Sequence, residues 1–255
     1  MYEIIFSETE LKYFYENILP PLKPAETHFV SLSARNKLLN KSIQEGIHLG
    51  RSEMFNRKII TENSWPMFLR TIRSFEVNTG AYKTKSNHDI PSDCMVCYIN
   101  INPSNTLKVY NDFSNTMNNL MFELSQCAVN KLDSSNVIGR INKMYHTMMT
   151  CYQRNRGTKH YIDIDFDIPK EKFFIVRNFS QYLKENGIEY FIVETHGGYH
   201  VLLKRDTIKM NFTQEIKNLN QVFPEYEIIV NKNEMIPLPG TLHGGFKVRV
   251  IDNGE

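Results

Sequence analysis

Apolar and polar residues alternate along KHYIDIDFDIP (159–169), and every second position from 163 to 167 is an aspartate. Side chains on a strand alternate between faces, so Ile162, Ile164 and Phe166 fall on one side and Asp163, Asp165 and Asp167 on the other. Alternation, or short apolar runs bounded by turn residues, predicts further strands at THFVSLSA (27–34), CMVCYININ (94–102), EYFIVET (189–195), YHVLLKR (199–205), EYEIIVN (225–231) and FKVRVID (246–252). A helical period predicts helices over ARNKLLNKSIQEGI (34–47), over most of 112–154, over 167–187 and over 211–223. In the third of these Asp167 is placed as N-cap, Pro169 in the first turn and Gly187 just past the end. SNHDIPSDC (86–94) and NPSNT (102–106) read as loops, and THGG turns 189–195 back into 199–205 as a hairpin.

This order predicts an α+β protein. A sheet with helices on one face, of the RNA-recognition-motif (RRM-like) kind, spans 156–255 and packs closely against an N-terminal mixed α/β module, 1–155, with no linker between them. At 255 residues and 41% hydrophobic, the chain can bury a full core. It has no apolar run of membrane-spanning length and no signal-peptide pattern, which gives the expectation of a cytoplasmic protein with no membrane partner. A net charge of +2 neither requires nor excludes nucleic acid, so the placement of the basic residues decides.

Carboxylates held side by side repel, and a divalent cation relieves them; oxygen-rich acidic sites suit Mg²⁺ or Mn²⁺. Alone, the same aspartates read equally as the wet face of an edge strand with a helix cap. In VETHGGYHVLLK, Gly197 and Gly198 allow a tight turn whose backbone N–H groups a phosphate can approach, with His200 nearby as a donor. An ordinary Gly-Gly hairpin is the plain alternative. In NEMIPLPGTLHGGFKVRV, prolines and glycines crowd Thr241 and His243, and Lys247 and Arg249 are placed on one strand face beyond them. That segment also reads as a constrained turn followed by a solvated basic strand.

Taken in order, YIDID, THGGYH and PLPGTLHGG resemble the archaeo-eukaryotic primase superfamily, the primase-polymerases of phage and plasmid type. That family's pattern is a strand ending hhhDhD/E, a Ser-Gly-x-Gly-x-His hairpin, and a hydrophobic-acid strand followed by an R-x-P-G-S-L-H-G-like loop. Here Thr195 takes the serine place, His196 stands where a glycine is common, and Pro237 occupies a position that is often basic. The resemblance covers 156–255 and implies a two-metal nucleotidyltransferase using Mg²⁺ or Mn²⁺. Asp163 and Asp165 would be metal ligands, with Glu227 as third carboxylate and Glu225 or Glu234 as alternatives. Thr195, Gly198, His200, His243 and Lys247 would contact the nucleotide, and Lys204, Arg205 or Lys247 could stand in for the missing basic residue. FVSLSARNKLLN is similar to the R-x-K segment of the same group, which makes Arg35 and Lys37, with Lys204 and Arg249, candidate phosphate or template contacts. The expected function is DNA primase-polymerase activity: single-stranded DNA as template, NTP or dNTP as substrate, and a replicative helicase or primase accessory subunit as partner.

Four cysteines, Cys94, Cys97, Cys127 and Cys151, raise the possibility of zinc, but their placement in strand and helix patterns argues against it and for reduced thiols in the core. Two other classes compete with the polymerase. A rolling-circle nuclease or relaxase needs a His-hydrophobic-His metal pair and a nucleophilic tyrosine, and the histidines here are isolated. A non-catalytic single-stranded nucleic-acid-binding module would use the aromatic content for base stacking.

Overall fold

The computed structural model describes residues 1–38, 52–84, 87–209 and 211–251. It is an α+β protein with two antiparallel sheets and, among the described residues, seven α-helices. The first sheet is built on β1 (Glu26–Arg35), flanked by β2 (Ser52–Ile60) and β3 (Met95–Asn100). Short β4 (Ser104–Asn105) adds to β1. After β4 come α3 (Thr106–Val129), α4 (Ser135–Ile141) and α5 (Met144–Arg154), where the sequence predicts mostly helix over 112–154; α1 (Glu8–Asn17) and α2 (Trp65–Arg73) precede β3. Of the predicted helix over 34–47, Ala34 and Arg35 belong instead to β1, Asn36–Leu38 form a 3₁₀ turn, and 39–47 lie outside the described residues.

The second sheet begins at β5 (Tyr161–Asp167) and continues through α6 (Phe173–Glu185), β6 (Tyr190–Glu194), β7 (Tyr199–Lys204), α7 (Thr213–Val222) and β8 (Glu227–Val230). Its spatial order is β6-β7-β5-β8, and β12 (Arg249–Ile251) adds at the β6 edge. The period of two sets what each face does. Ile164 and Phe166 on β5, Ile192 on β6, and Val201 and Leu203 on β7 pack against Ile175, Val176, Phe179 and Leu183 of α6 and Ile216 and Leu219 of α7. The opposite face turns Tyr161, Val193 and Leu202 into the core of the first sheet. Asp163, Asp165 and His200 share that inner face, one pleat further along.

Helix α6 ends as its sequence predicts: Gly187 is left-handed at φ +67°, and the Ile188 N–H bonds the Leu183 carbonyl. Its start differs. Asp167 is the last residue of β5, Pro169 is extended, a 3₁₀ turn covers Lys170–Lys172, and α6 begins at Phe173 without a side-chain cap, so Asp167 is not an N-cap.

The two sheets do not divide the chain at residue 155. β9 (Met235–Pro237) and β10 (Leu242–His243) both pair with β3, and β11 (Phe246–Lys247) pairs with β10. The proline-glycine segment therefore lies in the first sheet. FKVRVID is not one strand: β11 and β12 belong to different sheets with only buried Val248 between them, so Lys247 and Arg249 share no strand face.

Candidate functional site

A cleft of about 760 Å³ opens between the two sheets, within the size range of small-molecule sites. One wall is the outer face of the first sheet, where Ser31, Ser33 and Arg35 of β1, Tyr98 of β3 and His243 of β10 line the cleft. The other carries Asp165, Asp167, Thr195, Gly197 and His200. Of the residues expected to act together, Asp165, His200, Thr195, His243, Arg35 and Lys37 thus line one cavity, although they come from both sheets.

Asp163 lies at the inner end of this group and is fully buried. His200 Nδ1 donates to it, 3.1 Å from both carboxylate oxygens, and Asn231 Nδ2 donates to Oδ2 at 2.7 Å. Asn231 also gives its backbone N–H to the Asp163 carbonyl, extending the β5–β8 ladder by one residue. His200 Nε2 lies 3.8 Å from Asp165 Oδ1, so one imidazole spans both aspartates. Burial alone would lower the His200 pKa, but the carboxylates of Asp163 and then Asp165 outweigh it and raise the group to about 9. At neutral pH it is an imidazolium. Burial pushes Asp165 above the usual carboxylate range, helped by the charges of Asp163 and Asp167 and opposed by His200. An acid in that position gains from a cation.

His243 is buried on the facing wall. Neither of its ring nitrogens has a hydrogen-bond partner among the described residues. Burial first, then electrostatic opposition from His196, Arg35 and Lys37, hold its pKa down to about 3. Its ring sits 6.5 Å from that of Tyr98, whose hydroxyl accepts from Arg35 Nη1 at 2.7 Å, and 5.7 Å from that of His196.

Gly198 is dictated by close approach. A Cβ there would lie 1.9 Å from the Phe166 carbonyl oxygen, so only glycine lets the hairpin rest on the end of β5. Gly197 faces the cleft, where a Cβ would come 3.5 Å from both Asp167 Oδ1 and Lys37 Nζ.

Several expected residues lie elsewhere. Glu227 is exposed at the outer end of β8, directly opposite Asp167 and diagonal to Asp165, and it does not line the cleft. It stands four residues along β8 from Asn231, which is the residue opposite Asp163. Glu234 is buried against Lys159 at 2.9 Å and Arg156 at 3.6 Å, and Glu225 precedes the strand. Lys204 pairs with Glu189 at 2.7 Å at the far end of β7 and lines a second cavity with Lys23 and His160; Arg205 begins the 3₁₀ turn beside it. Arg249 is bound to Glu194 at 2.7 Å, and Lys247 lies over the Phe6 ring. None of these four cations lines the cleft.

Among the described residues no three His, Cys, Asp or Glu side chains converge as a metal cage. That arrangement still fits Mg²⁺ or Mn²⁺, because Mg²⁺ is commonly held by one or two carboxylates together with substrate phosphates and water. Asp165, half-buried, lines the cleft and is such a carboxylate; Asp163 beside it is fully buried, so an ion reaching it would displace the hydrogen bond from His200 or from Asn231. Three of the four cysteines are core residues: Cys94 and Cys97 belong to the first-sheet core, where burial pushes the Cys94 thiol up to about 12, and Cys151 packs with Phe29 and Val109; Cys127, on α3, is only partly buried.

Two participants had no signal in the sequence. Asn231 follows a strand whose apolar run ends at Val230, and only the register places it opposite Asp163. Lys170 reads as one of several charges before α6, yet its ammonium lies beneath the glycine hairpin. No protein-family model, no curated protein and no solved structure matches the chain. No helix among the described residues is long and apolar enough to cross a membrane.

Proposed function

We propose that the protein is a primase-polymerase: a nucleotidyltransferase that joins NTP or dNTP to a 3′-hydroxyl on a single-stranded DNA template. One observation carries the reading. His200 and Asp165 from one sheet, His243 and Arg35 from the other, and Lys37 in the turn just after β1 line a single cleft, although most of the chain between them belongs to other elements. The order β5-α6-β6-β7-α7-β8, with strands arranged β6-β7-β5-β8, is that of an RRM-like split βαβ module, and it supports the same reading.

In this mechanism Asp163 and Asp165 would hold Mg²⁺ or Mn²⁺; when bound, the ion would acidify the attacking hydroxyl and shield the departing pyrophosphate. The 3′-oxygen bonds to the α-phosphorus, the bond to the β-phosphate oxygen breaks, pyrophosphate leaves and the hydroxyl proton passes to solvent. The chain supplies position and charge. His200, protonated and aimed into the cleft, donates to a phosphate oxygen, and the unpartnered His243 offers a second donor from the opposite wall. Arg35 and Lys37 stand where the triphosphate or a template phosphate adds negative charge. A helicase or accessory subunit would bring the template.

The test is incubation of the purified protein with single-stranded template, Mn²⁺ or Mg²⁺ and labelled ATP or dATP, with products resolved by length. Asp165→Asn is expected to cut incorporation by at least about 10²-fold with the far-ultraviolet circular dichroism unchanged. A variant that extends at the unmutated rate refutes the assignment.

The saturation of Asp163 by His200 and Asn231, together with the placement of Glu227 outside the cleft, favours one second reading: a nucleic-acid-binding module without catalysis. DNA binding with no incorporation under any metal or nucleotide condition selects it.

A further inference from the structure

Lys170 makes an unusual set of contacts. Its Nζ donates to the carbonyl oxygens of Thr195 and of Gly198, the latter at 3.1 Å, and lies 3.4 Å from Glu194 Oε1. The same ammonium sits 4.5 Å from the centroid of the Tyr199 ring and 4.6 Å from that of Phe246. Thr195, Gly198 and Tyr199 form the hairpin of the second sheet, whereas Phe246 is on β11 of the first and is the register partner of His243. His196, at the hairpin tip, touches both members of that pair, with ring centroids 5.7 Å from His243 and 6.3 Å from Phe246. A single cation therefore ties the turn that precedes His200 to the strand pair that carries His243.

The peptide geometry adds a direction. All peptide bonds here are trans, so each C=O points opposite to the N–H of the next residue. Turning the Thr195 carbonyl onto Lys170 turns the His196 N–H away from it. Two carbonyls, Glu194 and two rings already surround the ammonium, and burial holds its pKa down against the pull of Glu194. Cation–π contact to two rings and two carbonyl hydrogen bonds give the charge its compensation.

The geometry points to Lys170 as the positioning residue of the nucleotide site: it latches the glycine hairpin to the β10–β11 pair and so keeps His200 and His243 facing one cleft. The assignment of the latch to nucleotide binding rests on the polymerase reading; the latch itself does not.

Two variants, Lys170→Met and Lys170→Arg, test it with two readouts. In amide hydrogen exchange, K170M is expected to raise the rates at 195–199 and at 243–246 together, by at least about tenfold, as loss of a charged hydrogen-bond donor implies. Rates in α3 and α5 stay unchanged and serve as the folding control, and K170R restores much of the protection at both places. In nucleotide incorporation, K170M raises KM for the nucleotide at least about tenfold with kcat within about threefold, because it loosens the seat and leaves the reacting groups in place. Exchange that rises at one hairpin only, or at neither, overturns the latch, and so does K170R behaving like K170M. An active enzyme whose KM does not move overturns the positioning role. If the unmutated protein incorporates no nucleotide while the exchange pattern appears as described, the polymerase reading falls and the latch stands.

Discussion

Asn231 occupies the position on which the acidic site turns. Its amide donates to Asp163 where a strand-borne carboxylate would repel it, and this hydrogen bond offsets part of the cost of burying a polar group there. Asn231→Asp should exchange that hydrogen bond for a like charge and cost about 2 kcal/mol, which for a chain of this size is a drop in Tm of roughly 4–8 °C. Millimolar Mn²⁺ is expected to recover most of the loss in N231D and to move the unmutated protein less. Thermal melts with and without chelator make the comparison, and an N231D Tm insensitive to Mn²⁺ argues against a cation at Asp163. The histidines define the pH range. His200 titrates near 6.5 when unfolded and about 9 when folded, so its contribution is complete below pH 6.5 and is lost as pH rises toward 9. His28 and His243 behave oppositely: burial lowers them to about 4 and about 3, so their contribution is complete above pH 6.5 and is lost as the solution is acidified. Denaturant midpoints between pH 5 and 9.5 should fall at both ends, and His200→Gln should flatten the alkaline limb alone.

At the scale of elements, the hairpin between β6 and β7 shows how strongly one residue constrains a turn. Gly198→Ala places a methyl against the Phe166 carbonyl and should cost at least about 2 kcal/mol, whereas Gly197→Ala, which meets ordinary contact distances, should cost under about 1 kcal/mol. Urea denaturation of the two variants checks the difference. What made this hairpin and β5 readable in the sequence is local: a period of two and a Gly-Gly turn. The strands β9, β10 and β11 were not readable in the same way, because two or three residues are too few to show a period and the identity of a partner strand is a tertiary fact. Lys247 and Arg249 look like alternate residues of one strand for that reason. Glu227 opens a strand and follows the expected pattern, but the register carries it past the site and brings Asn231 in. Asp167 has the identity of a helix cap, yet β5 runs through it because Glu227 extends the ladder opposite.

Across the whole molecule, the inner face of the second sheet completes the core of the first: Tyr161, Val193 and Leu202, with Val248 from the crossing between the sheets, are buried with residues of β1, β3, α1 and α2. The chain should therefore unfold in one transition, with near- and far-ultraviolet circular dichroism changing together, and residues 156–255 made alone should lack fixed tertiary signals. Separate transitions would show that the sheets are stable independently. The passage through Val248 also bears on how a substrate reaches the cleft. Val248 bonds Thr241 and Gly240 through its backbone while its neighbours on either side are committed to different sheets. With a single residue as tether, and Lys170 fastened across the same margin, the walls cannot part there. On the polymerase reading, a template strand would then enter the cleft away from this margin, where Arg154 and Lys232 also line it, and the end held by Lys170 and Val248 would serve as its fixed stop.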